Sequence, residues 1–117
     1  MNNQETRVVR AALTDVGTFS RVLAPERRLR SYQEPLVRAV VESVRHGLGM
    51  EFAAVFSRQA GKDEMLAQLC AYLLCLYQKR GGNIVVALPT LRPQGVITRD
   101  RLLERLDHPL LHGLVNV

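Results

Sequence analysis

Residues 52–64 read Phe-Ala-Ala-Val-Phe-Ser-Arg-Gln-Ala-Gly-Lys-Asp-Glu. An apolar run stops at a short polar loop, the loop ends in Gly61-Lys62, and a long apolar helical pattern follows. That is the order strand, phosphate loop, helix. Its chemistry suits a nucleoside triphosphate. Backbone N–H groups of a tight loop and of a helix start point at phosphate oxygens, Gly61 lets the backbone approach closely, and Lys62 sets a positive charge beside them. The full pattern has Gly at its first position and Ser or Thr after the Lys. Here Phe56 and Asp63 stand there.

Within the loop Ser57-Arg58-Gln59-Ala60-Gly61-Lys62, the Lys62 ammonium is placed for the terminal phosphates and Arg58 for the outermost one. Asp63 occupies the position from which a hydroxyl normally takes Mg2+. A carboxylate is also a hard oxygen ligand, but it brings negative charge next to negative phosphates. A Gly-Lys pair also occurs at ordinary helix starts, and the strand before it and the pattern around it favour phosphate binding.

Other constellations offer less. Cys70 and Cys75 fall in one apolar helical run at a spacing that matches no metal or redox motif, so buried free thiols are expected. His108 and His112 are four apart, a spacing that can chelate zinc on a helix, but Pro109 and Gly113 oppose a regular helix there. His46 falls at a helix end, where a cation suits the dipole. The chain carries a net charge of +5 over 117 residues, almost all of it from arginine, the only lysines being Lys62 and Lys79. Arginine's planar fork suits phosphate oxygens; a solvated basic surface is the other reading of the same charge.

The elements that must position the loop follow from periodicity. Residues 1–6 read as a loose tail and residues 7–24 give a weak helical signal. A helix is expected over 32–46, with Leu36, Val37, Val40, Val41 and Val44 on one side. Glu34, Arg38, Glu42 and Arg45 fall on the other, spaced for side-chain pairing. Gly47 and Gly49 end it. Phe52–Phe56 and Ile84–Leu88 read as buried strands. Between them, residues 62–79 form a helix that is apolar on nearly every side and therefore covered on more than one face. A last helix spans 93–106. The expected fold is thus α/β, with parallel strands in a right-handed βαβ unit and flanking helices. Two strands are fewer than a doubly wound domain needs. The N-terminus is polar, and the longest apolar stretch falls short of the ~20 residues that span a bilayer.

The loop Ser57-Arg58-Gln59-Ala60-Gly61-Lys62 resembles that of the large terminase subunit of tailed bacteriophages, the ATP-driven motor that packages viral DNA and cuts it. The family's loop also lacks the first Gly. Leu29-Arg30-Ser31-Tyr32-Gln33 resembles the family's Tyr-Gln element, and Val86-Ala87-Leu88-Pro89-Thr90 its second strand and following turn. The resemblance runs from about Phe19 to about Arg105 and implies the N-terminal part of a P-loop ATPase domain of the RecA/helicase-like kind over residues 25–117. It implies that Tyr32 and Gln33 hold adenine, that Gly61 and Lys62 hold the phosphates of ATP with Mg2+, that Arg58 acts as an arginine finger in cis, and that Thr90 couples nucleotide state to DNA. It implies double-stranded DNA, a small terminase subunit and a portal protein as partners, no membrane, and the cytoplasm of a bacterial host.

The sequence departs from that family in two respects. After Thr90 no apolar run ends in Asp-Glu, the pair that holds magnesium and activates water, and the nuclease carboxylates are absent from these residues. The expectation is therefore a fragment that binds nucleotide without turning it over alone and that needs the remainder of the ATPase domain. A helicase-like ATPase fragment is an alternative of the same class. A small basic nucleic-acid-binding protein with an incidental Gly-Lys is one of a different class, and it predicts salt-sensitive DNA binding with no ATP effect.

Overall fold

A computed structural model describes residues 3–56, 61–87 and 95–112 of the chain. Five α-helices and one 3-10 turn make up the regular structure among these residues: α1 (Asn3–Ala12), α2 (Val16–Leu23), the 3-10 turn Pro25–Arg27, α3 (Glu34–Arg45), α4 (Lys62–Leu76) and α5 (Val96–Leu106).

Local chemistry accounts for most of the boundaries. The segment expected to be a loose tail is helical from Asn3, and the weak signal that follows resolves into two helices broken at Leu13–Asp15. Asp15 is the N-cap of α2: its backbone is extended and its Oδ2 accepts from the Thr18 N–H at 3.2 Å, which satisfies one of the donors a helix start leaves open. Pro35 lies in the first turn of α3, where its missing N–H costs nothing. At the other end, Gly47 takes φ +62°. The Leu48 N–H then bonds the Ser43 carbonyl (2.9 Å) and the Gly47 N–H the Val44 carbonyl (3.3 Å), a Schellman closure that requires a left-handed residue.

The core forms where α4 is covered by α2, α3 and α5. Tyr72, fully buried on α4, meets Phe19 of α2 edge to face with ring centroids 5.3 Å apart. Its hydroxyl donates to the Leu13 carbonyl at 2.7 Å, so the one polar atom of this ring is satisfied by the α1–α2 turn. Val16, Val37, Val41, Ala71 and Cys75 fill in around the pair. Leu111, beyond α5, is buried as well, in an apolar seam formed with Val9, Ala12 and Phe19. The even apolar coat of α4 is thus explained by neighbours on several sides.

The α/β expectation is overturned. Among the described residues there is no strand and no sheet. Phe52–Phe56 and Ile84–Ala87 have no regular secondary structure, and Leu88 lies outside the described residues. Val55 is 98% exposed and Val85 87%. The physical reason is that β-branched and aromatic composition expresses only an ability to fit a pleated, covered surface. A parallel strand becomes one when neighbours take its N–H and C=O groups and helices cover both faces. Here the helices bury their apolar faces against one another, and the two runs are left at the surface.

Candidate functional site

The start of α4 is where the sequence-predicted residues converge. Gly61 is its N-cap, with φ +76° and ψ 24°. This left-handed conformation strains any residue with a Cβ. The space is limited as well: a Cβ at Gly61 would stand 3.1 Å from Gln33 Nε2 and 3.8 Å from Arg30 Cζ. The conformation therefore favours glycine, and the room is tight only against the Gln33 amide. The Gly61 carbonyl accepts the first helical bond from Met65 N (2.9 Å), and α4 has no side-chain cap. The N–H groups of Lys62, Asp63 and Glu64 have no acceptor within the helix and point out of its positive end.

Gln33 stands directly against this start. It is 4% exposed. Its Oε1 accepts from Arg30 N at 2.9 Å, and its Nε2 donates to the Gly61 carbonyl at 3.2 Å. The amide thus ties the turn before α3 to the turn before α4. Tyr32 is on the open side. Its ring lies 5.9 Å from that of Phe56, its hydroxyl accepts from Arg30 Nη1 at 2.9 Å, and the Arg30 guanidinium sits 6.0 Å from its centroid. Arg30, Tyr32 and Phe56 form a cationic and aromatic margin beside the Gly61–Lys62 corner, while Lys62 is exposed.

Of the predicted site residues, the structure brings together Tyr32, Gln33, Gly61, Lys62 and Asp63. Ser57, Arg58, Gln59 and Ala60 lie outside the described residues, as do Pro89 and Thr90. Asp63 stands half-buried in the first turn of α4. It would offer one carboxylate to a magnesium ion, and no group of three metal-ligating side chains occurs among the described residues. His112 Nε2 is 2.8 Å from Asp107 Oδ1, and His108 Nδ1 accepts from Leu110 N. Burial, with His112 and Arg105 nearby, holds the His108 imidazolium below its ordinary range.

Sequence reasoning missed the polar strut under this corner. Glu64, the third residue of α4, faces Arg105 of α5 (3.5 Å), Arg27 (3.9 Å) and Gln68 one turn on (3.3 Å). Gln68 is buried and uses both ends: Nε2 donates to the Arg27 carbonyl at 2.7 Å and Oε1 accepts from the Ser20 hydroxyl at 2.5 Å. That hydroxyl accepts in turn from Leu29 N at 2.7 Å. One chain of bonds therefore links α2, the segment entering Arg30–Gln33, and the first turn of α4. Its signal in the sequence was Gln68 itself, the polar interruption of an apolar run, since a buried amide must find partners.

Buried thiols stand where expected. Cys70 and Cys75 are both free and buried, and desolvation raises both, Cys75 to about 11. Among the described residues no helix is long and apolar enough to cross a membrane. No protein-family model, curated protein or solved structure matches this chain.

Proposed function

We propose that this chain binds the phosphates of a nucleoside triphosphate at the start of α4, and that it is the ATP-binding part of a DNA-packaging motor of the large-terminase kind. The observation that carries the reading is the Gln33–Gly61 hydrogen bond (3.2 Å). The two segments that resemble base-side and phosphate-side elements are far apart in sequence and meet in one corner, where Gln33, buried with both amide ends bonded to backbone, positions the corner instead of contacting a base. The strand that favoured phosphate binding in the sequence is absent among the described residues, so the reading rests on this corner. Its motor half rests on the resemblance of residues 29–33, 57–62 and 86–90.

The chemistry available there is binding and orientation. The N–H groups of Lys62, Asp63 and Glu64 and the positive end of α4 suit an anion, and the exposed Lys62 ammonium adds a mobile charge. Arg30 stands at the same margin with Tyr32, which is 46% exposed and whose ring, already against Arg30 and Phe56, is the aromatic group beside the corner. Glu64 would repel an anion but is already paired with Arg105 and Arg27. ATP, when bound, supplies the phosphoryl group and phosphate oxygens for Mg2+, and Asp63 in the first turn of α4 would add a carboxylate ligand. Arg58 would serve as the finger on the outer phosphate.

The test is a titration with a fluorescent ATP analogue in magnesium buffer, followed by anisotropy. Lys62→Ala is expected to weaken binding roughly ten-fold or more, a loss of about 1.4 kcal/mol, with helical content unchanged. Equal affinity in both proteins overturns the nucleotide reading. Duplex DNA binding that falls steeply with salt and ignores the analogue would favour the basic nucleic-acid-binding alternative.

A further inference from the structure

At the opposite end of α4 lies a groove of about 990 Å³, bounded by the C-terminal turns of α3 and α4 and by residues 81–84. Its size is at the upper end of ligand clefts, ~300–1,000 Å³. The floor is aliphatic: Leu73 and Leu74 of α4, Val44 of α3 and Ile84. Val44 and Ile84 keep 46% and 42% of their surface exposed. Contiguous apolar surface of this kind marks an interaction site.

Charge narrows the occupant. Arg45, His46 and Arg80 line the groove, and among the described residues no carboxylate does. Glu42, one turn back on α3, faces Arg45 (4.0 Å) and His46 (3.0 Å) and offsets part of the charge on that side, while Arg80 has no ion pair among the described residues. The carbonyls that end the two helices are also engaged: the Ser43 and Val44 carbonyls accept from Leu48 and Gly47, and the Leu73 and Tyr77 carbonyls accept from Tyr77 and Gly81. Negative charge at the helix ends is therefore partly answered within the chain, and the rim presents cations. A phosphate backbone would match the rim but would leave the aliphatic floor without a partner.

We infer that this groove docks an amphipathic peptide segment of acidic character from a partner protein, with apolar anchors on Leu73, Leu74, Val44 and Ile84 and carboxylates against Arg45 and Arg80. The groove is separate from the α4 start, so this inference stands whether or not nucleotide binds there.

The probes are a short fluorescein-labelled peptide with leucines at i, i+3, i+4 and i+7 and glutamates between them, its lysine-for-glutamate counterpart, and a labelled duplex DNA. Each is titrated against the full chain and against Val44→Asp and Arg80→Glu, both exposed positions whose helical content is checked by circular dichroism. The acidic peptide is expected to bind, the lysine peptide roughly ten-fold more weakly, and each variant to weaken the acidic peptide by a similar factor. No binding of the acidic peptide, equal binding of the two peptides, indifference to both variants, or duplex DNA as the probe that loses affinity in Val44→Asp would each overturn the inference.

Discussion

The Gln33 amide nitrogen lies 3.2 Å from the Gly61 carbonyl oxygen, across 28 residues of chain. That oxygen also accepts the first bond of α4, so the direction of the helix start and the position of the Tyr32–Gln33 turn are set together. Gln33 reaches the same site from a buried position and thereby fixes the geometry on which any anion at Lys62 would depend.

Replacement of Gly61 by Ala tests that corner at one atom. The new Cβ would meet Gln33 Nε2 at 3.1 Å in a left-handed backbone. The left-handed conformation costs a residue with a Cβ roughly 1–2 kcal/mol, and the contact forces the Gln33 amide away. Urea denaturation is expected to show a loss of that order. Binding of the ATP analogue should weaken beyond what stability explains, measured well below the unfolding midpoint. Full stability in Gly61→Ala would mean that α4 starts in another conformation.

A second prediction concerns Tyr72, whose hydroxyl bonds the Leu13 carbonyl at 2.7 Å while its ring packs on Phe19. Tyr72→Phe keeps the edge-to-face contact and strands one carbonyl, for an expected loss of about 1–2 kcal/mol. Phe19→Ala opens a cavity beneath the same ring, for about 3–5 kcal/mol. If the two variants unfold at the same urea concentration, the ring pair does not carry the core as described.

Much of the helical frame was legible in the sequence, for reasons tied to particular residues. The side of α3 bearing Val37 and Val41 repeats at helical spacing, Pro35 and Gly47 bracket it, and Gly61-Lys62 announces α4. The two apolar runs were not legible. Val55 and Val85 have strand-like neighbours, but whether such a run pairs is decided by what lies beside it, and composition carries no information about that. The corner itself was half legible. The family resemblance suggested that Tyr32, Gln33 and Gly61 belong to one site. That the Gln33 amide would bond the Gly61 backbone, and that Glu64 would be held by Arg105, depends on distances between helices that no local pattern encodes.

Acid should weaken the fold through Asp15. Its carboxylate takes both a bidentate Arg38 (3.1 and 3.2 Å) and the Thr18 N–H. The hydrogen bond from Arg38, against some desolvation, holds its pKa below the ordinary value. A depressed folded value means that the stabilisation is present above the unfolded pKa, ~3.9, and is lost as pH falls through the folded one. Asp15→Asn retains an N-capping side chain and removes the charge together with one of the two oxygens that Arg38 holds. The wild type is therefore expected to be the more stable protein at neutral pH, with the gap closing as the carboxylate is protonated. The pair is partly exposed, so salt should narrow the gap too. A gap that is constant from neutral to strongly acid pH would show that the charge contributes nothing.

The two thiols give a readout of the core that needs no ligand. Cys70 and Cys75 face inward on α4, and burial raises both, Cys75 to about 11. Only the thiolate attacks an alkylating reagent, so native protein at neutral pH should react slowly at both positions. The rate should follow opening of the helical core, and in denaturant both should react at the rate of a model thiol. Tyr72→Phe, by removing the bond to the Leu13 carbonyl, should speed labelling of Cys75 in proportion to its loss of stability, if α4 opens with the fold as one unit. Labelling of Cys75 at the unfolded rate in native buffer would place that face of α4 outside the core.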